Sequence, residues 1–141
     1  MTQTRTVVLD NEAVQALADF SHRKHRRVLA VVEAIAARNL RRAGSVRLVV
    51  PTAVRVEAGW DRRAPRAAAV NRLRVHGALL DTAAADRAAR ACSALAISVA
   101  DAHVAAALDA TSGPHAVLTS DIEDLRRIAE HLDIPLNIVT I

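Results

Sequence analysis

The chain predicts an α/β fold built on a short parallel sheet, and three observations carry that expectation. Short aliphatic and β-branched runs alternate with longer stretches of helical periodicity. Strands separated by helices imply crossover connections, and crossovers produce parallel sheets. The strand runs show little polar alternation, as expected when both faces are covered. A length of 141 residues suits one domain with one core. The expected architecture is a single domain, residues 1–141, with three α/β/α layers and four to five parallel strands.

The first predicted strand is Thr6–Leu9, and Asp10 closes it. A helix is expected near Asn11–Phe20. Another is expected over Lys24–Ala43, where Val28, Val31, Val32 and Ile35 form an apolar stripe at helical spacing, until Gly44 stops it. Arg47–Val50 reads as the second strand. Pro51 suits the first turn of the following helix, which carries Val54, Glu57 and Ala58. The polar segment Asp61–Pro65 breaks or bends that helix, and helical character resumes over Ala67–Arg74. A short strand is expected at Ala78–Leu80, then helices at Ala84–Leu95 and Val99–Ala110. Ser112-Gly113-Pro114 marks a turn. Strand Ala116–Thr119, helix Ile122–Leu132 and strand Leu136–Thr140 complete the order.

Composition narrows the function. Phe20 and Trp60 are the only Phe, Trp or Tyr residues, which argues against base stacking as the main binding device. The formal charge of +4 is unevenly spread. Residues 1–74 hold fifteen basic residues against six acids, and residues 75–141 hold four against nine. A basic half suits a polyanionic partner such as RNA, although it also suits a solvated Arg-biased surface. Arg outnumbers Lys eighteen to one, so bidentate phosphate contacts are available. Arg23–Arg27, Arg38–Arg42 and Arg62–Arg74 are candidate backbone guides. Cys92 is the sole cysteine and lies in an Ala-rich helical stretch, where it reads as a packing residue. No apolar run nears the ~20 residues that cross a bilayer, and nothing reads as a signal peptide. The expected compartment is the cytoplasm, with no membrane partner.

Four carboxylates carry the chemistry: Asp10, Glu57, Asp101 and Asp121. Asp10 and Asp121 each lie just past the carboxyl end of a predicted strand, where open α/β sheets place their sites. Asp101 interrupts a nearly uncharged helix, where a buried charge is costly without a partner or a metal. Each acid also has a structural reading. Asp10 can cap the first helix, and Asp121 can be a first-turn acid favoured by the helix dipole. Ser98 with Asp101, and Ser120 with Glu123, fit capping-box patterns. Glu57 can be a solvated helix residue. Taken together, acids that cannot pair with one another suggest a hard divalent cation, which prefers oxygen ligands.

The set also resembles a family. Leu9-Asp10, Pro-Thr-Ala-Val-Arg-Val-Glu at 51–57, Ala-Asp-Ala-His-Val-Ala-Ala at 100–106 and Leu-Thr-Ser-Asp-Ile-Glu-Asp-Leu at 118–125 resemble the four acidic motifs of PIN domains. The likeness is greatest to the VapC toxins of type II toxin–antitoxin systems, and it covers essentially the whole chain. The resemblance implies a magnesium-dependent endoribonuclease, with manganese as the alternative ion. It implies Asp10, Glu57, Asp101 and Asp121 as the catalytic acids. Asp10 and Asp101 would be the direct metal ligands, with Glu57 and Asp121 binding the metal through water or holding a second ion. Thr119 matches the hydroxyl residue that often precedes the fourth acid by two positions. Asp124, one turn beyond Asp121, reads either as an addition to the negative field or as an exposed first-turn acid. The first motif often carries Ser, Thr or Asn two positions after its Asp, whereas Glu12 stands here. Glu12 is read as a helix amino-terminal residue near the metal; an extra carboxylate in the site, or a polar contact from Asn11, are the other readings. The resemblance also implies a cognate VapB-like antitoxin, whose tail would lay an Arg or another side chain across the acidic pocket, and many relatives form dimers.

Other readings differ at named positions. A haloacid-dehalogenase-like phosphatase needs a second Asp where Glu12 stands, and a response-regulator receiver needs a Lys after a late strand, whereas Lys24 is the only Lys. There is no His-Glu-x-x-His motif and no Gly-rich phosphate loop. His22 and His25 read as surface residues or phosphate contacts, and His103 as a packing or supporting residue. Trp60 is a candidate partner contact if exposed, although a lone Trp is more often core. A PIN-type RNA-processing nuclease without an antitoxin, and a non-catalytic PIN scaffold that binds RNA or protein, remain as alternatives.

Overall fold

The computed structural model describes residues 5–41 and 46–141. Gly44 and Arg42, expected to end the second helix and to extend its basic face, lie outside those residues. The order is β1 (Arg5–Leu9), α1 (Asn11–Ala18), α2 (His25–Arg41), β2 (Val46–Pro51), α3 (Thr52–Ala58), a 3-10 turn (Pro65–Ala67) and α4 (Ala68–Asn71). It continues with β3 (His76–Ala78), α5 (Thr82–Leu95), α6 (Val99–Ala110), β4 (His115–Thr119), α7 (Ile122–Leu132) and β5 (Leu136–Thr140). The five strands are all parallel, in the order β3-β2-β1-β4-β5, and the helices flank them as a three-layer α/β/α fold.

The reason for this arrangement is legible in the central strands. Val8, Leu9, Val49, Val50, Val117 and Leu118 are at most 1% exposed, so β1, β2 and β4 bury successive residues on both faces. Each such side chain stabilises the fold by roughly 1.5–3 kcal/mol relative to exposure. The stripe expected on α2 holds in part, since Val28 and Val32 are buried while Val31 and Ile35 pack at the core margin. Among the described residues, no single helix is long and apolar enough to cross a membrane.

The strand order reverses between β1 and β4, which are neighbours in the sheet yet far apart in sequence. Ligand sites in such sheets form at the carboxyl ends beside this reversal. The register sets Leu9 against Leu118, so Asp10 and Thr119 leave the sheet side by side.

Several local expectations are corrected. The third strand is His76–Ala78 rather than Ala78–Leu80, because it is aligned by β2: Val49 pairs with His76 and Pro51 with Ala78. Leu79 and Leu80 remain exposed at 69% and 39%. Pro51 ends β2 and precedes α3, instead of occupying the helix's first turn. Helical character after Pro65 ends at Asn71. Trp60 is in the core, where its Nε1 donates to Asn71 Oδ1 at 3.0 Å. His25 is also buried, with Nδ1 donating to the Ala16 carbonyl at 2.8 Å, so it is not a surface contact. Cys92 packs at the core margin, as expected.

Candidate metal centre

Asp10 is positioned twice over. Its backbone N–H donates to the Leu118 carbonyl, which extends the β1–β4 pairing by one residue. Its side chain then caps α1, with Oδ1 accepting from the Ala13 N–H at 3.0 Å. The residue is only 6% exposed. Burial pushes its pKa up to about 6, against hydrogen bonds from the Thr119 hydroxyl and the Ala13 N–H that favour the anion. The charges of Asp101 and Glu12 push in the same direction as burial.

Thr119 is fully buried and joins two of the acids. Its Oγ1 accepts the Asp121 N–H at 2.9 Å, while its hydroxyl hydrogen-bonds Asp10. Asp121 is the N-cap of α7, with Oδ1 accepting from the Asp124 N–H at 3.1 Å. This corrects the capping box expected from Ser120, whose hydroxyl turns instead to Glu12 Oε2. Asp124 pairs with Arg127 at 3.2 Å.

Asp101 lies in the first turn of α6, where its N–H donates to the N-cap hydroxyl of Ser98 at 3.1 Å. Its carboxyl is half-buried, and burial raises its pKa above the ordinary value despite the Ser98 hydrogen bond. The charges of Asp124, Glu57 and Asp121 raise it further. Asp101 is therefore within electrostatic reach of acids from α3 and α7, and it reaches Asp10 as well.

Glu57 is exposed in the last turn of α3. Its Oε1 accepts from Asn11 Nδ2 at 3.2 Å, and Asn11 Oδ1 in turn accepts from Gln15 Nε2 at 3.3 Å. The sequence reading missed Gln15, although its four-residue spacing from Asn11 places both on one helix face. Glu12, whose charge reaches Asp10, is engaged by Lys24, at 2.9 Å, as well as by Ser120. These partners lower its pKa, Ser120 most. The structure thus gives Asn11, rather than Glu12, a direct hydrogen bond to one of the four acids.

His103 faces away from the acids and caps α3. Pro51 gives α3 no side-chain cap, and His103 Nδ1 instead accepts the Ala53 N–H at 3.2 Å. Burial holds the ring's pKa below its usual value, against a smaller pull from the Leu79 carbonyl, which lies outside good hydrogen-bonding geometry with the buried Nε2. A neutral ring with its hydrogen on Nε2 fits both observations.

The donor set is carboxylate oxygen throughout, which suits a hard cation such as magnesium or manganese. Among the described residues, no three Asp, Glu, His or Cys side chains converge as a ready-made cage. Magnesium does not require one, because it is usually held by one or two carboxylates and keeps several waters. Asp10 and Asp101 fit that role, since each carries a raised pKa that a cation would relieve. The four ion pairs among the described residues engage Lys24, Arg87, Arg126 and Arg127, and Arg26, Arg27, Arg62 and Arg63 are in none of them. Comparison of the chain with protein-family models, with curated proteins and with solved structures finds no match to any of them.

Proposed function

We propose that this chain is a metal-dependent endoribonuclease of the PIN type, acting as the VapC-like toxin of a toxin–antitoxin pair. The observation that carries this reading is the shared field at the sheet reversal. Burial first, and then the charges of neighbouring acids, raise the proton affinity of Asp10 and Asp101. Asp101 and Glu12 act on Asp10, and Asp124, Glu57 and Asp121 act on Asp101, an arrangement a folded chain tolerates when a cation relieves it.

Asp10 and Asp101 would hold a magnesium or manganese ion, with Asp121 and Glu57 beside them. When bound, such an ion activates a water and neutralises charge on a phosphodiester. The chain's own residues do the rest. Thr119 and the Ala13 N–H fix the Asp10 carboxylate, and Asn11 orients Glu57. Arg26, Arg27, Arg62 and Arg63 are free to bind the RNA backbone. A VapB-like antitoxin would silence the site by presenting a cationic side chain to the same acids.

Asp10 and Asp121 each spend one oxygen on a helix cap, and this favours a second reading, a non-catalytic scaffold of the same fold. The two readings separate on Asp10→Ala and Asp101→Ala, tested for RNA cutting in vitro and for growth arrest on expression. The nuclease reading expects both effects to be lost while RNA binding persists. Variants that cut RNA and arrest growth like the parent would overturn it. Cutting without growth arrest in the parent would favour an RNA-processing nuclease over a toxin.

A further inference from the structure

A cavity of about 570 Å³ lies between the α1–α2 turn and the end of α3, and Gln15 forms part of its wall. Gln15 is linked through Asn11 to Glu57 by two hydrogen bonds, so the cavity begins one helical turn, roughly 6 Å, beyond a residue that touches the acidic centre. Its other walls include Phe20, His22, Trp60 and Arg66.

The wall chemistry suits a nucleobase better than a bare phosphate. Acids and bases are balanced there: His22 and Arg66 stand opposite Asp19 and Asp61. Asp19 is already occupied by the Ser21 N–H at 2.9 Å and the Ser21 hydroxyl at 2.7 Å, and Asp61 by the Arg63 N–H at 2.9 Å. Phe20 is 72% exposed, a heavy exposure for a ring in so aromatic-poor a chain. It is nonetheless held in place, because its ring meets buried His25 edge-on with centroids 5.1 Å apart. A positioned ring with open surface, beside an amide and a guanidinium, is the combination by which proteins seat one unstacked base.

We propose that this cavity holds the base of a nucleotide flanking the phosphodiester cut at the acidic centre, and so sets sequence preference. The proposal rests on the nuclease reading for its position, but not for the cavity's ability to bind a base. Phe20 stacks on the base, Gln15 reads its edge, and Arg66 or His22 contacts the adjoining phosphate.

Trp60 is the chain's only tryptophan and lines the cavity, so its emission reports occupancy. The first measurement titrates each of the four nucleoside 5′-monophosphates into the full chain in EDTA. A saturable response that favours one base is expected, weakened about five- to a hundredfold in Phe20→Ala. The second maps cut positions on a mixed-sequence RNA with magnesium present. Wild type should prefer that base at one fixed position beside the cut, and Phe20→Ala should flatten the preference while still cutting. Phe20 is exposed, so the variant is expected to fold, and its circular dichroism checks this. Unchanged nucleotide binding and unchanged cut positions in Phe20→Ala would overturn the proposal even if RNA is cut. Phe20-dependent binding without any cutting would remove the nuclease reading and retain the base site.

Discussion

The Asn11 side-chain amide donates to Glu57 Oε1 across 3.2 Å and so joins the start of α1 to the last turn of α3. Glu57 is exposed and otherwise free to rotate, so this bond sets where its carboxylate stands. The bond is solvent-accessible, and its loss should cost no more than about 1 kcal/mol of stability. Asn11→Ala is therefore expected to melt near the wild-type temperature but to cut RNA roughly ten- to a hundredfold more slowly. Equal rates in the two proteins would show that Glu57 needs no positioning.

Thr119 is itself fully buried; its hydroxyl hydrogen bonds Asp10, and its oxygen accepts the Asp121 N–H at a part-buried position. Thr119→Val keeps the shape and removes both bonds. We expect a loss of about 1–3 kcal/mol in denaturant unfolding, since buried polar groups lose their partner. Thr119→Ser should recover most of it. A Val variant as stable as the Ser variant would contradict the bridging role.

The buried Asp10 carboxyl makes stability depend on pH when no metal is bound. The unfolded chain loses this proton near pH 3.8, whereas the native chain holds it to about 6. Between those values the native state binds more protons, so stability falls as pH rises through the window. Asp10→Asn retains a capping oxygen and carries no charge. In EDTA it should match wild type near about pH 4 and exceed it near about pH 7.5, by on the order of 3 kcal/mol. Added magnesium should raise the melting temperature of wild type more than that of the variant. A variant that is less stable at both pH values would refute the burial penalty.

Glu12 is held by Lys24 and Ser120, with Lys24 and Glu12 only 16% and 30% exposed. Pairs of this kind contribute at most about 1 kcal/mol. Glu12→Gln is accordingly expected to change cutting by less than about fivefold. A loss as large as that of Asp101→Asn would return Glu12 to the set of working acids.

Asp10 and Asp121 could be located from the sequence because their positions follow from strand ends. An apolar run that stops at Asp10 or just before Asp121 marks a carboxyl edge by itself, and Asp101 stands out in an apolar helix. Contacts between distant segments were not legible. His103 capping α3 across fifty residues, Thr119 bridging two acids and Ser120 turning to Glu12 all depend on how the layers close. The third strand slipped for the same reason, since its register is imposed by Val49 and Pro51 of β2 rather than by its own pattern. Asp81, the N-cap of α5, was passed over because Thr82 and Ala83 carry no helical stripe of their own.

The most direct test of the central claim is the rate of cutting a mixed-sequence RNA as magnesium is titrated, for wild type, Asp10→Asn and Asp101→Asn. Saturable cutting by wild type, abolished by EDTA and reduced at least about a hundredfold in either variant, is the expected result. Cutting that is indifferent to the metal, or variants that cut like wild type, would contradict it.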